Sequence, residues 1–164
     1  MPSWGLTIGG EQGVADVIAY LKATLKGAPE MESTATTGSA GTLGVCPQRR
    51  KTKRAPGEFL RLSNPLPDSP ANIKAAEKLY HETAQPLACL QCHGKKGDEN
   101  GPMGAALNPH PRNFTCRETM KEISDGQMYW IIKNGSQGTG MMAFSGMPDD
   151  QVWEVIHYLR TLAK

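Results

Sequence analysis

The run Cys89-Leu90-Gln91-Cys92-His93 constrains this chain more than any other feature. Two thiols three residues apart, followed at once by a histidine, form the pattern of a c-type haem attachment site. Each thiol can add to one vinyl group of the same porphyrin. The histidine then lies under the iron as an axial ligand, and its other ring nitrogen can donate to a backbone carbonyl, which fixes the tautomer. A structural zinc site would need two further ligands at similar spacing, and the remaining cysteines, Cys46 and Cys116, stand alone. A thioredoxin-like redox pair would need a βαβ context, and no strand pattern accompanies the motif.

A chain built on this motif must wrap a large, flat, apolar group, and its composition suits that. Only 38% of the 164 residues are hydrophobic and 6% aromatic, so the protein core is modest and a buried porphyrin would enlarge it. The length suggests one domain with an appendage. Residues 70–164 carry ten basic and ten acidic side chains, and the net charge of +2 resides entirely in residues 1–69. Neutrality of the main part argues against a nucleic-acid partner. The basic run Arg49-Arg50-Lys51-Thr52-Lys53-Arg54 suits either a solvated linker, the favoured reading, or contact with an acidic partner or membrane surface. No stretch approaches the length of a membrane span.

The helical signals run through the second half. Ser69 and Pro70 read as N-cap and first helical residue, with Ile73, Ala76 and Tyr80 on one face of a helix reaching about Thr83. Glycines and prolines make the stretch after the motif loop-like. Short helices are expected near Arg117–Ile123 and, capped by Asp125, over Gln127–Lys133, the latter stopped by Asn134-Gly135. A last helix should run from Pro148 to about Leu162, with Asp149 and Asp150 in its first turn. The expected fold is all-α, with about four to five helices around one covalently bound haem and a loop-rich N-terminal extension.

Three segments are expected. Residues 1–26 contain Val14-Ala15-Asp16-Val17-Ile18-Ala19-Tyr20-Leu21-Lys22, which shares its pattern with Val152-Trp153-Glu154-Val155-Ile156-His157-Tyr158-Leu159-Arg160. Such self-similarity points to a duplicated unit. The segment reads as the C-terminal helix remnant of a second cytochrome-like domain missing upstream, or else as an ordinary amphipathic helix. It has no basic start and apolar run of a secretory leader. Residues 27–69 read as a flexible linker and extended lead-in, and residues 70–164 as a mono-haem domain.

On the strength of these residues the sequence resembles the class I c-type cytochromes, in particular small bacterial periplasmic members. The resemblance covers about residues 70–164. It implies the cytochrome c fold, haem c attached through Cys89 and Cys92, and His93 as one metal ligand. Gly101-Pro102 is similar to the Gly-Pro whose proline carbonyl accepts the hydrogen bond from that histidine. Ala76, Tyr80 and Tyr158 look like the positions where first and last helices cross. The Gly- and Met-rich loop Ser136–Gly146 would bring the second ligand. Met141 matches best, but Met141-Met142 replaces the usual Met-Pro, so Met142 and Met147 stay open. Closed axial positions imply an electron carrier or electron-transfer subunit rather than an enzyme, in the periplasm, with a dehydrogenase, reductase or oxidase as redox partner. The alternative is the haem domain of a larger periplasmic oxidoreductase or a dihaem peroxidase. His81, His110 and His157 are expected to be structural or exposed, and Trp130 to pack on the porphyrin. Cys46 and Cys116 could pair in an oxidising compartment.

Overall fold

The computed structural model describes residues 44–49 and 52–163, all within one compact unit. Residues 1–26, with the expected helix remnant, lie outside them. The described residues form six α-helices and no strand: α1 (Gly57–Leu60), α2 (Pro70–Lys78), α3 (Leu90–His93), α4 (Arg117–Lys121), α5 (Asp125–Asn134) and α6 (Asp149–Leu162).

The expected helices form where their end signals stand. The Ser69 hydroxyl accepts from the Asn72 amide at 3.2 Å, with Pro70 in the first turn of α2. A wider turn, Leu79–Thr83, continues α2 and buries Tyr80. α5 is capped by Ser124, whose side chain accepts from the Gln127 amide at 3.2 Å. Asp125, expected as the cap, is instead the first helical residue, and it holds Arg160 at 2.6 Å. Gly135 ends α5 with φ of 73°, a left-handed conformation glycine adopts freely. In α6, Val152, Val155, Ile156 and Leu159 recur at helical spacing and are all buried.

The frame is the crossing of α2 and α6. Ala76 and Tyr80 are wholly buried there, and Tyr80 and Tyr158 meet with ring centroids 5.2 Å apart. The small Ala76 side chain lets the two backbones approach. Arg160 then ties the end of α6 to the α4–α5 turn by donating to the Met120 and Ile123 carbonyls, each at 2.6 Å.

The described part of the stretch read as linker and lead-in lies on this frame. Cys46 and Cys116 form a disulfide, with Cα atoms 5.6 Å apart. Gln127 of α5 accepts from the Ala55 amide at 2.8 Å and donates to the Lys53 carbonyl at 3.1 Å. Residues 57–60, expected to be extended, turn into α1 and pack on α5, where Gly126 leaves room for the Phe59 carbonyl. Long-range hydrogen bonds supply the order that the small polar residues of this stretch could not.

Candidate functional site

The Cys-x-x-Cys-His run is one helical turn. The Cys89 carbonyl accepts from the amides of Cys92 at 3.2 Å and His93 at 3.0 Å. That turn brings Cys89, Cys92 and His93 to the wall of one cavity of about 540 Å³. Gly94, with φ of 84°, lets the chain leave the turn at once. The Gly101–Gly104 loop then folds back against the motif: the Met103 amide donates to the Gln91 carbonyl at 2.8 Å. A Cβ on Gly101 would lie 2.5 Å from the Cys92 carbonyl carbon and oxygen, so no larger residue fits there.

His93 is buried and stacks on Phe114 with centroids 4.4 Å apart. Its Nδ1 donates to the Arg112 carbonyl at 3.0 Å. Pro102 was the expected acceptor. It is exposed and does not border the cavity. The Gly101-Pro102 turn braces the back of the motif, and the Pro111–Asn113 segment returns past the imidazole instead. Burial pushes the His93 pKa down to about 4, so the ring is neutral near pH 7 and Nε2 keeps a lone pair. Burial also pushes the Cys89 thiol up to about 12 and raises that of Cys92. Both thiols therefore stay protonated at neutral pH in the cofactor-free chain.

The cavity size suits an organic cofactor, and most of its wall is aliphatic, aromatic or thioether. Met141, Met142 and Met147 all border it. Met147 is 5% exposed and Met142 42%. Met141 is half-buried, and its backbone is fixed by the Ser136 amide donating to its carbonyl at 3.0 Å and by its own amide donating to Thr139 Oγ1 at 3.2 Å. Among the described residues two buried polar side-chain atoms lack a partner, His110 Nδ1 and Ser136 Oγ, and both residues line this cavity. A haem meets these requirements together: an apolar body, vinyl groups for two thiols, iron for the free imidazole nitrogen, and propionates for orphaned polar atoms. Trp130, expected against the porphyrin, instead borders a neighbouring hollow that it shares with Ser136 and Met141.

His81 bonds the Tyr158 hydroxyl at 3.0 Å, and His157 donates to the Leu66 carbonyl at 2.9 Å. Sequence reasoning missed Gln48, Glu99, Arg112 and Phe114. Only Phe114 carried a signal, as a lone aromatic in a polar loop.

Comparison with known proteins agrees with this geometry. Residues 71–159, more than half of the chain, match the family model described as cytochrome C oxidase, cbb3-type, subunit III. The chain belongs to this family of c-type cytochromes. Its cofactor is haem c, and its chemistry is haem-based electron transfer. A solved chain of the reducing HAO-like protein complex of Kuenenia stuttgartiensis is similar to this cytochrome, with 28% identity and a TM-score of 0.52 over 64% of this chain. The match spans 49% of that chain, about half its length. No curated protein matches the cytochrome. Among the described residues no helix is long and apolar enough to cross a membrane.

Proposed function

We propose that the cytochrome carries single electrons through one haem c, bonded to Cys89 and Cys92 and ligated by His93 and Met141. The observation that carries this reading is that all four residues line one apolar cavity. The haem supplies a reversible ferrous–ferric couple. The chain's own residues hold and shield it. Arg112 fixes the His93 tautomer, the Ser136–Met141 turn presents the thioether, and the apolar wall keeps water away. A histidine and a thioether leave no axial position for substrate, which makes the chain a carrier or electron-transfer subunit and not an enzyme. Haem attachment of this kind places it in the periplasm, with a dehydrogenase, reductase or oxidase as partner.

A second reading treats the cytochrome as one module of a larger oxidoreductase, and it is favoured by the match to half of a chain from a redox complex. The expected remnant at residues 1–26 belongs to this reading, with residues 27–69 as the connection and 70–164 as the mono-haem domain.

The intact denatured mass of the protein from its native source tests the stoichiometry. This chain of 17.7 kDa plus one haem is expected for the mono-haem reading. A mass larger by roughly one more small domain and a second haem supports the dihaem arrangement. Fast oxidation of the reduced protein by peroxide, or tight carbon monoxide binding at neutral pH, would sink the closed carrier.

A further inference from the structure

We propose that Gln48 is a positioning residue for the haem's histidine ligand: its side-chain amide reaches Glu99, which bonds the His93 carbonyl, and both neighbours of Arg112, which bonds the His93 ring. This rests on His93 being an axial ligand.

His93 is gripped on two sides. Its imidazole donates to the Arg112 carbonyl at 3.0 Å, and its own carbonyl accepts from the Glu99 amide at 2.8 Å. Glu99 is a wholly buried carboxylate on a backbone with φ of 64°, which for a residue other than glycine has to be held by its surroundings. Gln48 holds it: Nε2 donates to Glu99 Oε2 at 2.7 Å, while the Gly44 amide bonds the other oxygen. The same side chain fixes the segment carrying Arg112. Its Oε1 accepts from the Asn113 amide at 2.8 Å, and Nε2 also approaches the Pro111 carbonyl at 3.4 Å. Pro111 and Asn113 flank Arg112, so one side-chain amide pins the peptide unit that carries the acceptor carbonyl and the unit before it. The Gln48 backbone amide in turn donates to Thr119 Oγ1 at 2.9 Å, and the Cys46–Cys116 disulfide anchors the segment two residues away.

The chemical consequence follows from the imidazole. Donation from Nδ1 to a carbonyl raises the basicity of the ligating nitrogen and favours ferric iron. Loosening Pro111–Asn113 weakens that bond and favours the ferrous form. A residue that merely fastened the strap would leave the couple where it is.

Gln48→Met tests this in the haem-loaded protein. Methionine has a similar length but neither donates nor accepts as the amide does. At a fixed applied potential the ferrous-to-ferric ratio should rise about threefold, a shift of ~28 mV upward at about 59 mV per tenfold for one electron. The His93 Nδ1 proton of the reduced protein should exchange faster by NMR. Asn64→Ala removes a hydrogen bond to the Trp153 carbonyl away from the cavity; it should lower stability and leave both readouts alone. If Gln48→Met fails to retain haem, the paired change Cys46→Ser and Cys116→Ser, which frees the strap, should move both readouts in the same direction. Unchanged potential and exchange, or an equal shift in Asn64→Ala, would overturn the proposal. A wild-type protein whose His93 ring proton shows no haem shift overturns the ligand reading first, and the role of Gln48 with it.

Discussion

Met141→Ala addresses the second axial position. In the proposed ligation its thioether favours ferrous iron, so its loss should lower the reduction potential and let the reduced protein bind carbon monoxide. Unchanged potential and gas binding would move the role to Met142 or Met147. Tyr80→Phe probes the turn that carries His93 from the other side. The Tyr80 hydroxyl is buried and donates to the Gly94 carbonyl, next to His93, at 2.7 Å. Its removal leaves that carbonyl with the Gly97 amide, at 3.1 Å, as its remaining partner, and should cost about 0.5–1.5 kcal/mol in denaturant unfolding. At this scale adjacent residues such as Cys89, Cys92 and His93 carry a legible pattern, and the structure brings all three to one cavity wall. The sequence was silent on Arg112, whose role belongs to a backbone carbonyl; every residue has one, so the side chain gives no sign of it. It also misdirected on Pro102. Gly101-Pro102 does meet the motif, but through the close approach of Gly101 to Cys92.

Between elements, the decisive packing is α2 against α6. Ala76→Leu would force extra methylenes into a fully buried crossing and should cost about 1–3 kcal/mol. The calorimetric midpoint should fall while an exposed control such as Ala75→Leu leaves it nearly unchanged. The start of α6 has an electrostatic attachment to α5. Lys133 lies 3.0 Å from Asp149 and donates to the Met147 carbonyl at 2.8 Å. Bonds from Lys133 and from the Tyr129 hydroxyl hold the Asp149 carboxyl below its ordinary value of 3.8. The folded state thus binds this proton less readily than the unfolded chain. Its small stabilisation is present above pH 3.8 and fades as pH falls through the lower folded value. Asp149→Asn should therefore lower stability slightly at neutral pH, leave it almost unaltered at the acid end, and so flatten the acid limb of the stability curve. Helix starts and the apolar face of α6 were legible because caps and periodicity are local. Residues 57–60 were not, since α1 exists by lying on α5 over Gly126 and its four residues carry no periodicity of their own.

For the whole molecule, the question is how a small core holds a cavity of this size. Part of the answer is covalent. The Cys46–Cys116 disulfide closes a separation of 70 residues that includes α1, α2 and the entire haem motif. In the chain-entropy model a loop of that length restricts the unfolded ensemble by about 4 kcal/mol. The sequence offered two isolated cysteines, and only the three-dimensional return of residues 44–49 to α4 makes them partners. Cys46→Ser with Cys116→Ser should lower the unfolding free energy by an amount approaching that figure, read as a lower denaturant midpoint. The helical signal should stay intact, because α2, α5 and α6 do not use the bond. A change in midpoint with an unchanged denaturant slope would place the effect in stability, whereas a larger slope would mean that the unfolded chain had become more expanded without its crosslink. The proposed attachment points of the haem, Cys89 and Cys92, lie inside the same loop but only three residues apart. A bridge between such near neighbours restricts little of the 70-residue loop, so the loss should be similar in the haem-loaded protein and in the haem-free chain.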